Sequence, residues 1–130
     1  MAHQASRELP TAHCSLLTAL CPLIMCGIFG VVGDNFSRTD VQRCNALLAH
    51  RGPDDSGEYF GSGVALAARR LSIIDLADGH QPLCNEDGTI WLVYNGEVYN
   101  APALRVELEA AGHVFKTHTD TETIIHAYEQ

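Results

Sequence analysis

Cys26 is one of five cysteines in this sequence, and a cysteine thiolate is a strong nucleophile. It lies in the apolar segment Met25-Cys26-Gly27-Ile28-Phe29-Gly30, which is typical of a buried strand. Taken alone, a cysteine in such a segment is most often an inert member of a hydrophobic core. A functional role for Cys26 therefore depends on the polar residues that accompany it elsewhere in the chain.

Four further strings follow Cys26 along the chain. They are His50-Arg51-Gly52-Pro53-Asp54, Arg70-Leu71-Ser72-Ile73-Ile74-Asp75, Gln81-Pro82-Leu83 and Asn95-Gly96-Glu97-Val98-Tyr99-Asn100. With the segment around Cys26 they resemble the class II glutamine amidotransferase domain, an N-terminal-nucleophile fold, and among its branches the asparagine synthetases. The resemblance covers residues 25–130. Five motifs in the same order are not expected by chance.

The resemblance implies that Cys26 hydrolyses glutamine to glutamate and ammonia through a thioester. An amide carbon is a weak electrophile, so this reaction needs a strong nucleophile, a base and donors for the oxyanion. In the family the nucleophile is the first residue of the mature chain, and its own α-amine, with a pKa of about 7.7 to 8.0, is the base. The resemblance places the oxyanion at the side-chain amide of Asn95 and the backbone N–H of Gly96.

The same resemblance assigns residues that bind the zwitterionic glutamine. Arg70 is expected at its carboxylate, where a planar guanidinium suits bidentate pairing, and Glu97 and Asp120 are expected at its ammonium. Leu71 and Ile73 are also expected to contact glutamine. Without the resemblance, Arg70 and Glu97 fit ordinary surface charges, and Asp120 fits a residue of a helix cap.

Two other residues of the motifs are not expected to be catalytic. His50 and Arg51 resemble an acid–base pair, but in this family their string mainly shapes a loop near the glutamine pocket. The sequence also departs from the family pattern at Ala68, where His is frequent, and at Val98, where Ile is common. Neither departure removes a group with an expected catalytic role.

The elements that position these residues follow from apolar periodicity and turn residues. Strands are expected at residues 26–32, 58–60, 64–68, 71–74 and 114–117, and a hairpin of residues 90–94 and 97–99 around Asn95-Gly96. Helices are expected after Ser37, with Asp40 in a capping box, and after Asn100, ending at Gly112. A last helix carries Ile124, Ile125 and Tyr128 behind a Thr119–Glu122 capping box. The fold class is α+β, and the resemblance implies α/β/β/α layers with mainly antiparallel sheets, incomplete in this chain.

The net charge and the numbers of cysteines and histidines disfavour several classes of function. The net charge of −8 disfavours nucleic acid and anionic membrane surfaces as partners. Five cysteines without C-x-x-C spacing indicate reduced thiols and a cytoplasmic protein. Seven histidines occur without a recognisable metal-binding motif, so no metal is expected from their spacing.

The two ends of the sequence carry their own expectations. Residues 14–24 are apolar but are too few to span a bilayer, which takes about 20 residues. They also lack a positively charged region before them. Residues 1–25 are interpreted as a leader, either an over-long start with Met25 as initiator, a removed segment or a retained extension. Residues 26–130 are interpreted as the truncated N-terminal part of a glutaminase domain, whose folding and activity in isolation are expected to be impaired.

The acceptor of the ammonia rests on the resemblance alone. The expected partner is a downstream synthetase domain that uses ATP and Mg²⁺ to convert aspartate to asparagine. The glutaminase domain itself is expected to need no cofactor. The family also allows a homodimer. Enzymes that make glucosamine phosphate or phosphoribosylamine are disfavoured, because they usually depart from the pattern after His-Arg-Gly. An asparagine-synthetase-like enzyme that modifies a peptide or sugar stays open, as does an inactive glutamine-binding remnant.

Overall fold

A computed structural model describes residues 25–71 and 79–130 of the chain. Its strands and helices, in chain order, are β1 (Gly27–Val32), α1 (Arg38–Leu47), β2 (Asp55–Gly61), β3 (Val64–Arg70), β4 (Leu83–Cys84), β5 (Trp91–Leu92), α2 (Ala101–Ala111) and α3 (Glu122–Glu129). The described residues form an α+β fold with two small antiparallel sheets. None of the helices in the described part has the length and apolar character needed to cross a membrane.

The larger sheet has the strand order β1-β3-β2, so the central strand is β3. The predicted strands at residues 26–32, 58–60 and 64–68 are confirmed. β2 begins three residues earlier and ends one residue later than predicted, and β3 ends two residues later. Gly63, with φ +67°, lies in the tight turn between β2 and β3. The register pairs Gly27 with Arg69, which brings the start of β1 alongside the end of β3.

One face of this sheet packs against α1. Buried Ala65 and Ala67 alternate along β3, and Val41 of α1 packs against them, with half-buried phenylalanines around this core. The capping box predicted for α1 is confirmed. The Asp40 backbone N–H donates to Ser37 Oγ over 3.2 Å, and the Ser37 N–H donates to Asp40 Oδ2 over 3.1 Å.

The remaining helices pack against each other. The predicted ends of α2 are confirmed: Asn100 is the N-cap, and Gly112 terminates the helix in the left-handed conformation with φ +106°. Leu108 of α2 and Ile125 of α3 are buried at less than a tenth exposure. Tyr128, on the same helix, is 79% exposed.

The predicted hairpin around Asn95-Gly96 is wrong. Strand β5 pairs with β4, and residues 97–99 form no strand. The reason is that the Gln81 side chain satisfies the two Tyr94 backbone groups that would close the hairpin. Gln81 bonds both the N–H and the C=O of Tyr94, and the Val98 N–H donates to Asp120 Oδ2 over 2.6 Å.

Two predictions near α3 are also wrong, for the same reason. Residues 114–117 form no strand, because the N–H groups of Val114, Lys116 and Thr117 donate to carboxylates of Glu86 and Glu122. Glu122 therefore cannot close a capping box with Thr119, and the N-cap of α3 is Thr121, without a side-chain cap. The strand predicted at residues 71–74 lies mostly outside the described residues, and Leu71 itself is not in a strand.

Candidate active site

The antiparallel pairing of β1 with β3 builds one wall of a cleft. Because Gly27 pairs with Arg69, Cys26 lies beside the residues that follow β3. The Leu71 backbone N–H donates to Cys26 Sγ over 3.4 Å, which holds the sulfur at this wall. Arg70, the last residue of β3, lies on the same wall.

The string around Gly52 supports the end of β3. A Cβ atom on Gly52 would overlap backbone atoms of Arg69 and Arg70, so only glycine permits this approach. The next residues continue the contact, with the Asp54 N–H donating to the Arg70 carbonyl over 3.1 Å. The His50 ring is turned elsewhere, its Nδ1 lying 2.8 Å from the Leu47 carbonyl. The string thus contributes to the cleft through its backbone.

The opposite wall is the segment that contains Asn95 and Gly96. Gln81 holds the start of this segment: its Nε2 donates to the Tyr94 carbonyl over 3.0 Å, and its Oε1 accepts from the Tyr94 N–H over 2.7 Å. Gly96 does not have the positive φ that a type I′ turn would require. A Cβ at this position would lie 2.5 Å from the Tyr94 hydroxyl, so the Tyr94 ring would have to move to admit a side chain.

Asp120, just before α3, closes the cleft and holds the far end of that segment. Its Oδ2 accepts the Val98 N–H over 2.6 Å, and its Oδ1 lies 3.4 Å from the Thr121 hydroxyl. Gly79 lies against the Arg70 side chain, since a Cβ there would be 3.1 Å from the guanidinium carbon.

The resulting cleft has a volume of about 410 Å³. Its described lining is Met25, Cys26, Arg70, Leu71, Gln81, Tyr94, Asn95, Gly96, Glu97, Thr119, Asp120 and Thr121. Every residue that the sequence placed at the site is therefore in this lining, except Ile73, which lies outside the described residues. The lining carries one guanidinium and two carboxylates, a charge pattern that complements a zwitterionic amino acid.

Residues 25–130 match the family of glutamine amidotransferase domains. The chain belongs to that family. Among curated proteins, asparagine synthetase [glutamine-hydrolyzing] 1 of Bacillus subtilis (strain 168) is 43% identical over 110 residues, covering 80% of this chain and 17% of that protein. Asparagine synthetase [glutamine-hydrolyzing] 1 of Arabidopsis thaliana is 46% identical over 110 residues, covering 82% of this chain and 18% of that protein.

A probable asparagine synthetase [glutamine-hydrolyzing] of Dictyostelium discoideum is 44% identical over 110 residues, covering 81% of this chain and 20% of that protein. This amidotransferase chain thus spans about a fifth or less of the length of these relatives.

Sequence reasoning missed five residues that line the cleft of this amidotransferase domain: Met25, Gln81, Tyr94, Thr119 and Thr121. Gln81 belongs to the motif Gln81-Pro82-Leu83, one of those on which the family resemblance rests, but no role was predicted for this motif. Its role depends on the two bonds to Tyr94, thirteen residues away, and no local pattern indicates such a contact. Thr119 and Thr121 are neighbours of Asp120 and enter the cleft with it.

Proposed function

We propose that this domain hydrolyses glutamine at Cys26 and that the ammonia serves ATP-dependent conversion of aspartate to asparagine elsewhere in a longer protein. The observation that carries the proposal is that Cys26, Arg70, Asn95-Gly96, Glu97 and Asp120 line one cleft. A nucleophile, an amide donor and charges of both signs are what glutamine hydrolysis needs in one place.

Arg70, Glu97 and Asp120 are proposed to select free glutamine. A guanidinium at one side of the cleft pairs with the α-carboxylate, and the carboxylates of Glu97 and Asp120 attract the α-ammonium. Asp120 Oδ2 accepts the Val98 N–H, so this carboxylate is fixed in place before the substrate arrives. Leu71 and Ile73 are proposed to line the path of the glutamine side chain.

Catalysis is proposed to begin when the α-amine of Cys26 takes the thiol proton. Cys26 Sγ then attacks the side-chain amide carbon of glutamine, and the carbonyl oxygen becomes an oxyanion. The side-chain N–H of Asn95 and the backbone N–H of Gly96 stabilise that oxyanion, and one such donor accounts for about 10²- to 10³-fold in turnover. The α-ammonium returns its proton to the leaving nitrogen, ammonia departs, and water cleaves the thioester to release glutamate.

This proton transfer requires a free α-amine. A peptide bond from Met25 would convert the amine of Cys26 into an amide, which cannot act as a base. We therefore propose that the active form begins at Cys26, with residues 1–24 removed or never translated and Met25 removed. Cys26 directly precedes β1, an edge strand of the larger sheet. This position of the nucleophile also supports the proposal that the two sheets belong to the layered N-terminal-nucleophile fold.

The acceptor half of the proposal rests on the relatives, which are named glutamine-hydrolysing asparagine synthetases. We assign ATP and Mg²⁺ to a synthetase region rather than to this cleft. Among the described lining residues, the single cation Arg70 stands against two carboxylates, so the cleft does not suit a triphosphate. Glutamine hydrolysis in the cleft requires no cofactor.

Replacing Cys26 by Ala in the full-length protein tests this division of labour. We expect glutamine-dependent synthesis to be abolished, glutamine binding to persist, and synthesis from free ammonia to continue. Cys44→Ala is the matched control, because Cys44 is a half-buried thiol on α1 outside the cleft lining. Glutamine hydrolysis that survives Cys26→Ala would contradict the proposed nucleophile.

A further inference from the structure

Three parts of the fold bring a group of histidines and glutamates together outside the cleft lining. The group, called here the His–Glu cluster, consists of Glu86, His113, His126 and Glu129. Glu86 lies between β4 and β5, His113 follows the end of α2, and His126 and Glu129 lie one turn apart on α3. One ligand atom from each residue lies within 4.8 Å of the other three.

His126 is the buried centre of the cluster. Its exposed fraction is 0%, and neither ring nitrogen has a hydrogen-bond partner among the described residues. Buried polar groups are nearly always paired, because leaving them unpaired costs free energy. Each ring nitrogen instead faces a carboxylate oxygen without a hydrogen bond of good geometry, Nδ1 at 3.5 Å from Glu86 Oε1 and Nε2 at 3.5 Å from Glu122 Oε1. A buried imidazole that faces carboxylates in this way fits a cation bound between the ring and Glu86.

The spacing of the cluster approaches that of a tetrahedral metal site. His126 Nδ1 lies 3.5 Å from Glu86 Oε1 and 4.0 Å from Glu129 Oε2. His113 Nδ1 lies 3.7 Å from the same Glu86 oxygen and 3.8 Å from the same Glu129 oxygen. With zinc–ligand bonds of about 2.0 to 2.1 Å, tetrahedral ligand atoms are roughly 3.3 Å apart. Zinc binding therefore requires the four ligand atoms, which now lie within 4.8 Å of one another, to move closer together.

Neighbouring groups orient these residues as supporting residues do in metal sites. His113 Nε2 lies 3.2 Å from Gln130 Oε1, and donation of its N–H to that oxygen leaves Nδ1 with a lone pair toward the cluster. Glu129 Oε1 accepts from Asn85 over 3.1 Å, which turns Oε2 toward the histidines. The Val114 N–H bonds Glu86 Oε1 over 2.8 Å and is the main cause of the lowered pKa of Glu86.

We propose that the His–Glu cluster binds one Zn²⁺ ion. Two neutral imidazoles and two carboxylates form a four-ligand set that suits zinc, and the carboxylate charges balance the ion. Glu122 Oε1 lies 3.5 Å from His126 Nε2, so the outer nitrogen of the liganding ring faces a carboxylate, a frequent arrangement around zinc. The ion fixes α3 to the β4–β5 loop and to the end of α2.

The test is a zinc titration of the purified full-length protein against a chromophoric chelator. Metal is first removed, and the thiols are alkylated so that cysteines cannot bind zinc. We expect one equivalent of Zn²⁺ to bind and to raise the melting temperature, and Co²⁺ to give the visible spectrum of a tetrahedral site.

Two ligand variants and one control make the result decisive. His113→Gln and Glu129→Gln should each weaken zinc binding by at least about tenfold. Both positions lie outside the buried core, and circular dichroism checks that the variants fold. His80→Gln should leave the affinity unchanged, because His80 forms a separate pair with Asp55 at 2.9 Å. Absence of zinc binding in the alkylated parent, or equal affinity in the parent and both ligand variants, overturns the proposal.

Discussion

Gln81→Met should slow glutamine hydrolysis although Gln81 is assigned no chemical step. The Gln81 side chain holds Tyr94 by two hydrogen bonds, of 3.0 Å to its carbonyl and 2.7 Å from its N–H. Tyr94 directly precedes Asn95 and Gly96, the proposed oxyanion donors. Methionine keeps the length of the side chain but can make neither bond, so the variant releases the start of that segment.

The size of the effect follows from the two lost bonds. Each neutral hydrogen bond contributes about 0.5 to 1.5 kcal/mol, so both together contribute about 1 to 3 kcal/mol. If that energy orients the donors in the transition state, its loss lowers turnover by about 5- to 150-fold. Donors that act on the developing oxyanion affect kcat more than the KM for glutamine.

The assay is glutamate release by the full-length protein that begins at Cys26, measured over a range of glutamine concentrations. Gln42→Met is the matched control, because Gln42 is exposed on α1 and bonds Glu58 at 3.4 Å outside the cleft lining. A Gln81→Met enzyme whose kcat stays within about twofold of the parent would refute the positioning role. So would a rise in KM with kcat unchanged.

Three further changes test other parts of the structure. Arg70→Ala should raise the KM for glutamine about 10- to 150-fold, since a charge-assisted hydrogen bond contributes about 1.5 to 3 kcal/mol. Steady-state kinetics measures the change in KM, with Arg70→Lys as the comparison variant. Gly52→Ala should lower the melting temperature and raise the KM for glutamine, because the alanine Cβ would overlap the backbone at Arg70. Gly30→Ala is the control, because a Cβ on Gly30 meets Leu66 at an ordinary 3.4 Å. Burial alone raises the pKa of Glu122, but hydrogen bonds from Lys116 and Thr117 outweigh it and lower that pKa. The ionised Glu122 should therefore contribute its full share to the free energy of unfolding above the ordinary glutamate pKa, and this share should be lost as the pH falls through the lowered pKa. Denaturant unfolding at several pH values should show a free energy of unfolding that falls less steeply toward acid pH in Glu122→Gln than in the parent.

The sequence predicts those features that depend on neighbouring residues. Ser37 and Asp40 are three residues apart and form the capping box that their spacing indicates. Gly112 ends α2 in the left-handed conformation that glycine adopts readily. The described site residues were predictable only through the resemblance, since Cys26, Arg70 and Asp120 are far apart in the chain.

Features that depend on long-range side-chain contacts were not predictable. Asn95-Gly96 has the residues of a type I′ turn, but the Gln81 side chain occupies the Tyr94 N–H and C=O that the hairpin would need. Glu122 has the spacing of a capping residue, yet its carboxylate accepts the N–H groups of Lys116 and Thr117 instead. The His–Glu cluster likewise joins positions from 86 to 129, and its spacing matches no metal-binding motif.

The central claim is that Cys26, with a free α-amine, forms a thioester with glutamine. The most direct measurement is mass spectrometry of the full-length enzyme quenched in acid during turnover, followed by peptide mapping. The proposal predicts an N-terminal peptide that begins at Cys26 and carries one glutamyl group, which is lost after hydroxylamine treatment. An enzyme that turns over glutamine with Met25 still attached to Cys26, or with the glutamyl group on another residue, would contradict it.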